Sequence, residues 1–191
     1  RRFRSDCGGL DVIIRVLAPL AVATLCGATL WQIVRPSVPK LLYNPSPSAP
    51  IGWYRLRAEK AIVRGDLVAA FAPEEAQTLA VERHYLPPNI PLIKTIWAVA
   101  GEEICHSKSV VQVANRPSLV VLARDSQGRP LPPRDGCYTL AKDEVFLVST
   151  DVQTSFDSRY FGPVPVSDIL GPVQYLGRFQ RRAERRKAGR G

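Results

Sequence analysis

Chemistry in this sequence can reside in three short segments. The first is Asn44-Pro45-Ser46-Pro47-Ser48-Ala49-Pro50-Ile51-Gly52-Trp53-Tyr54, which sets two serines among prolines. A serine oxygen becomes a nucleophile only beside a base, and Ser/Pro stretches also serve as linkers. The second is Pro91-Leu92-Ile93-Lys94-Thr95-Ile96-Trp97-Ala98-Val99-Ala100-Gly101-Glu102, a lysine inside an apolar strand. An ammonium is costly to bury, so Lys94 either snorkels to solvent or gives up its proton more readily than usual. A neutral lysine is a competent general base, and a solvent-facing Lys94 fits the strand alternation as well. The third, Thr154-Ser155-Phe156-Asp157-Ser158-Arg159-Tyr160-Phe161-Gly162-Pro163-Val164, packs a hydroxyl, a carboxylate and a guanidinium together. Asp157 and Arg159 are close enough in sequence to pair and pin a loop.

These segments need a scaffold. Val16 to Val34 is a run of 19 residues without a formal charge, which at about 1.5 Å per residue nearly spans a bilayer core. Arg15 and Arg35 flank it, and Trp31 lies near its outer end, as expected of snorkelling cations and an interfacial aromatic. No small-x-small cleavage site follows, so an uncleaved anchor is expected over a cleaved signal peptide or a buried core helix. Arg1, Arg2, Arg4 and Arg15 against Arg35 and Lys40 favour an N-terminus inside. Beyond the anchor, segments 52–57, 66–71, 92–99, 109–114, 118–123 and 144–149 read as short strands bounded by turn formers, and Asp125-Ser126-Gln127-Gly128 as a turn joining two of them. Pro73 to His84 reads as a helix with Glu74 and Glu75 in its first turn. The expected organisation is a short cytoplasmic N-terminus (1–15), a transmembrane anchor (16–34), an extracytoplasmic β catalytic domain (35–178) and a basic tail (179–191).

The 191 residues suffice for one domain, and the formal charge is +9. Six basic residues against one acid lie between Arg178 and Lys187. This reads as a solvated tail first and a contact for anionic lipid second; with no nucleic-acid motif present, no nucleic-acid partner is expected. Of the four cysteines, Cys7 precedes the anchor and Cys26 lies in it. Cys105 and Cys137 lie in the β region and pair if it faces an oxidising compartment; two buried thiols are the alternative. His84 and His106 read as surface residues rather than a triad base. No metal, nucleotide or organic cofactor is suggested.

In this order, the three segments resemble the signal peptidase clan, in which a lysine activates a serine nucleophile, and within it the conjugative transfer signal peptidases of the TraF type. The resemblance covers nearly the whole chain. It is carried by Asn44, Ser46, Ser48, Pro50, Gly52 and Tyr54; by Arg64-Gly65-Asp66-Leu67-Val68, Tyr85-Leu86-Pro87 and Glu144-Val145-Phe146-Leu147; and by Ser155-Phe156-Asp157 leading to Arg159-Tyr160-Phe161-Gly162-Pro163. Housekeeping members place Met after the serine and Pro three residues on, whereas Ala49 and Pro50 follow Ser48 here. Their Gly-Asp-Asn-Arg stretch is absent, Ser149-Thr150-Asp151 occupying that region, and Thr95 and Glu102 stand where Arg and Asp are usual. The resemblance implies a signal-peptidase-like antiparallel β catalytic domain on one N-terminal transmembrane helix. Ser48 would be the nucleophile, Lys94 the base and Ser155 the group that aims Lys94. The Ser48 N–H and the Ser46 hydroxyl would line the oxyanion hole, and Asp157 and Arg159 would brace the site. The implied substrate is a membrane-tethered precursor, a pilin or another conjugation component, cleaved at the bacterial inner membrane on its periplasmic side, with cyclisation through an acyl-enzyme as one fate. A general type I signal peptidase and a non-catalytic pilus-assembly component are the alternatives.

Overall fold

The structure, a computed structural model, describes residues 17–27, 40–57, 61–113 and 116–178. The chain divides into two units between Val38 and Pro39. In the first, residues 17–27 form helix α1, with Leu17, Leu20, Val22 and Leu25 exposed. No helix among the described residues is long and apolar enough to cross a membrane. The remainder of the expected anchor, Cys7 and the tail 179–191 lie outside the described residues.

In the second unit, every strand pairing among the described residues is antiparallel. The strands are β1 (Leu41–Asn44), β2 (Gly52–Leu56), β3 (Leu67–Ala70), β4 (Leu92–Ala98), β5 (Glu103–Ser107), β6 (Val110–Val113), β7 (Leu119–Val120), β8 (Gly136–Thr139), β9 (Glu144–Val148), β10 (Val164–Pro165) and β11 (Ile169–Gly177). Helix α2 (Glu74–Glu82) follows β3, and the short α3 (Ser158–Phe161) follows β9. One sheet runs β1-β2-β11-β3-β4-β9-β10 and a second runs β7-β6-β5-β8. The expected mainly β architecture is therefore present.

Strand β9 explains how the two sheets share an interior. Its Val145 and Leu147 join Val68, Ala70 and Ile96 beneath Ala76 of α2. Its Phe146 and Val148 join Ile104, Val111 and Val113 of the four-stranded sheet. With both faces covered, Val145-Phe146-Leu147-Val148 is a continuous apolar run rather than an alternating one. A third cluster, Ala49, Tyr54, Ala69, Ile93 and Val173, seats the serine segment against the opposite face of β3 and β4.

The expected strand 118–123 shrinks to the two residues of β7. The turn at Asp125–Gly128 closes with a 3.0 Å bond from the Gly128 N–H to the Asp125 carbonyl. It sits inside an isolated Arg124–Pro130 bridge rather than joining two long strands. Cys105 and Cys137 are register partners on β5 and β8 and form a disulfide. His84 is exposed, but His106 is not a surface residue: it is 5% exposed, its Nε2 lies 3.3 Å from the Tyr138 hydroxyl and its ring stacks on Tyr138. Burial, reinforced by Arg134, pushes its pKa down to about 4.

Candidate active site

The serine segment is held by its own polar groups. Asn44, buried at the end of β1, donates from Nδ2 to the carbonyls of Ser46 (2.8 Å) and Ala49 (3.0 Å) and accepts the Ser46 N–H at Oδ1 (3.1 Å). Tyr54, fully buried on β2, donates from its hydroxyl to the Pro50 carbonyl at 2.6 Å. Gly52 adopts φ +149° where a Cβ would stand 2.6 Å from the Gly177 carbonyl oxygen, so a larger residue would push β2 from β11. Asn44, Gly52 and Tyr54 thus fix the loop that carries Ser48. Ser46 and Ser48, the expected oxyanion pair, engage each other: the Ser48 N–H donates to Ser46 Oγ (3.2 Å), and the Ser46 hydroxyl donates to Ser48 Oγ (3.0 Å).

Lys94 does not face solvent. It stands opposite Val68 in the β3–β4 register, on the face covered by α2, and is 2% exposed. Its Nζ donates to Ser155 Oγ at 2.5 Å and to Ser149 Oγ at 3.0 Å. Burial pushes its pKa down to about 8, with Asp157 opposing the shift and Arg159 reinforcing it.

The third segment anchors both hydroxyls. Asp157 caps α3, accepting the Arg159 N–H at Oδ1 (3.3 Å), and pairs with the guanidinium through Arg159 Nε (2.8 Å) and Nη2 (2.9 Å). Its Oδ2 also accepts the Ser149 N–H at 3.1 Å. Arg159 donates further to the carbonyls of Val120 (2.9 Å), Val152 (3.1 Å) and Ser155 (3.2 Å). Both charges are at most 2% exposed, so the pair persists because its hydrogen bonds replace lost water. Ser158 accepts the Leu147 N–H at 2.9 Å and ties α3 to β9.

Ser46, Ser48, Lys94 and Ser155 line one cleft of about 210 Å³, walled by Leu92, Leu131 and Phe156 among others. Asp157 and Arg159 lie behind it. Asp125, at the far wall, accepts from the Tyr85 hydroxyl (2.5 Å) and Arg129 Nε (2.7 Å), fastening the 124–130 turn to the end of α2. The Ser46, Ser48 and Ser155 oxygens and one buried amine in one cleft suit proton transfer and acyl transfer. No cluster of metal-ligating residues occurs among the described residues. The sequence assigns Ser149 no role; its one signal is that Ser149-Thr150-Asp151 departs from the housekeeping pattern.

Comparison with known proteins gives the family. A family model described as "Signal peptidase, peptidase S26" matches residues 12–176. A "Probable conjugal transfer protein TraF" of Sinorhizobium fredii is 37% identical over 164 residues, covering 81% of this chain and 86% of that protein. The "Conjugal transfer protein TraF" of Agrobacterium fabrum is 33% identical, with 83% and 92% covered, and the "Plasmid transfer protein TraF" of Escherichia coli is 33% identical, with 69% and 79% covered. Among solved structures, a signal peptidase I of Enterococcus faecalis matches at 17% identity and a TM-score of 0.36, covering 60% of this chain and 97% of that one. The family match spans most of the chain and the relatives agree along it: this chain belongs to the signal peptidase family, peptidase S26, and is of the TraF type.

Proposed function

We propose that this protein is a membrane-anchored Ser/Lys endopeptidase that matures a secreted precursor used in conjugation, a pilin-like chain first among the candidates. The observation that carries this reading is Lys94. An amine 2% exposed, with its pKa drawn down to about 8, shares a cleft with Ser48. At neutral pH its deprotonated fraction is far larger than that of an ordinary lysine.

In the proposed reaction Ser48 Oγ attacks the scissile carbonyl while its proton passes to Lys94 Nζ. The Ser46 hydroxyl turns from Ser48 to the developing oxyanion and joins the Ser48 N–H there; losing one such donor typically costs about 10²–10³ in rate. Lys94 returns the proton to the leaving amine as the C–N bond breaks. Water, activated by the same amine, then hydrolyses the ester; if the substrate's own amine arrives first, the product is cyclic. The uncharged run 16–34 supports membrane anchoring, and the Cys105–Cys137 disulfide supports a catalytic domain on the periplasmic side of the inner membrane.

The test is incubation of purified protein with candidate pilin precursors, reading product masses. A product lacking a terminal peptide supports processing, and a further loss of one water mass supports cyclisation. Cleavage of unrelated secretory precursors at equal rates would favour a general signal peptidase, and unchanged precursors an assembly role.

A further inference from the structure

We propose that Ser149 is a second positioning residue for the Lys94 base, acting with Ser155 to aim the amine lone pair at Ser48. The inference rests on the Ser48/Lys94 reading above. A neutral lysine amine has two N–H bonds and one lone pair, whereas the ammonium has three N–H bonds. If Ser155 alone accepted from Lys94, the neutral amine could rotate about its terminal C–N bond and the lone pair would sweep through many directions. Two acceptors, Ser155 Oγ at 2.5 Å and Ser149 Oγ at 3.0 Å, take up both N–H bonds. The lone pair is then left for the hydroxyl proton of Ser48.

Backbone register places Ser149 for this task. Thr95 pairs with Val148 and Ile96 with Leu147 on β4 and β9, so one step further along that register Ser149 comes opposite Lys94. Direct cross-strand neighbours on one face are close enough for such a bond. Ser149 is 7% exposed, and its N–H is already committed to Asp157 Oδ2. The end of β9 is therefore held through the backbone, leaving the side-chain oxygen to Lys94. Ser155 approaches from a different element, the turn closed by its N–H to the Val152 carbonyl at 3.1 Å, so the two grips on the amine are separate.

The experiment uses the full chain in detergent micelles and a small activated ester, acetyl-alanine p-nitrophenyl ester, with stopped-flow detection of the acylation burst. Ser149→Ala is expected to slow the burst by about 10- to 100-fold, part of the ~10²–10⁴ that a positioned base contributes, with little change in ester affinity. The acidic limb of the pH–rate profile should also move below the wild-type midpoint, because the ammonium loses an acceptor. Asp157 and Arg159, the charged groups acting on Lys94, are unchanged in this variant. Ser149→Thr and Ser149→Val share one shape and differ in the oxygen, so any disturbance from the added methyl is common to both; the Thr variant should acylate at least about tenfold faster than the Val variant. Equal bursts in that pair, or a Ser149→Ala burst and limb matching wild type, would overturn the proposal. Ser48→Ala separates the two readings: a burst that survives it refutes the Ser48 nucleophile itself, whereas its loss beside an unaffected Ser149→Ala refutes only the role of Ser149.

Discussion

The two interiors of the catalytic unit are built on opposite principles. Around Lys94 the buried residues include Ser149, Ser155, Asp157, Ser158 and Arg159, a polar network in which nearly every group is held by another. Across β9, the interior of the four-stranded sheet is Ala98, Ile104, Val111, Val113, Leu140, Phe146 and Val148, with a disulfide between two of its strands. The first interior costs stability. A lysine whose pKa falls from 10.5 to about 8 opposes folding by about 3 kcal/mol below pH 8. The second is apolar apart from His106 and is cross-linked, and it contributes stability without touching the cleft. Strand β9 feeds both, so the stable half fixes the backbone from which the reactive half projects its side chains.

If that division is right, damage to each half should read out differently. The largest effect is expected from Ser48→Ala, which removes one oxygen: turnover should fall by about 10⁴-fold or more while the thermal midpoint stays near wild type. Substantial processing by this variant would mean the polar interior around Lys94 does not serve Ser48. Next comes Arg159→Met, which leaves the Asp157 carboxylate buried without its cation; a loss of about 3–5 kcal/mol in urea unfolding is expected, partly recovered when Asp157→Asn is added. A loss below about 1 kcal/mol would show that water replaces the guanidinium and that this interior is wetter than its burial indicates.

Reducing the Cys105–Cys137 disulfide, with 32 residues of separation, should cost about 3–4 kcal/mol by the chain-entropy model. Its sharper signature is that the acidic limb of the activity profile should not move; a shift of that limb on reduction would show the two interiors to be coupled. The smallest effect belongs to His106. Its folded pKa of about 4 lies below the ordinary 6.5, so the unfolded chain takes up a proton that the folded chain refuses. Stability is unaffected above about pH 6.5 and is lost as pH falls from there towards 4, amounting to about 1–2 kcal/mol at pH 5. His106→Phe should flatten that decline in thermal scans without altering turnover at pH 8.

Much of the candidate site could be read in the sequence because its residues are chemically conspicuous. A lysine in an apolar strand, serines among prolines and a close Asp-Ser-Arg triplet each ask for a reason. The partners that hold them were harder to see. Ser149 looks like the polar end of an apolar strand, and only the β4–β9 register sets it against Lys94. Strands β1, β5, β8, β10 and β11 carry no clear strand signal in the sequence. Strand β11 carries Gly171 and Pro172 in its middle, which read as breakers. The pairing with β3 shifts register between Ile169 and Gly171, and on the β2 side the Pro172 carbonyl still accepts the Arg57 N–H at 2.8 Å. Strands β5 and β8 are short and mix charged, polar and cysteine residues, so alternation alone does not mark them. The burial of His106 is equally hidden from local sequence, because it comes from Tyr138 and Phe146 on other strands.

The central claim is that Lys94 is a buried base rather than a structural cation, and one paired measurement tests it most directly: the wild-type pH–rate profile together with thermal unfolding of Lys94→Met near neutral pH. Because the folded pKa lies near 8 and the unfolded one near 10.5, the penalty on the folded chain is fully present below about pH 8 and fades as pH rises between those values. Activity should rise through a limb near pH 8, and Lys94→Met, which keeps the stem and deletes the charge, should be inactive yet as stable as wild type or more so. A clear loss of stability in Lys94→Met, with wild-type activity rising only above about pH 10 as for an ordinary lysine, would contradict the account.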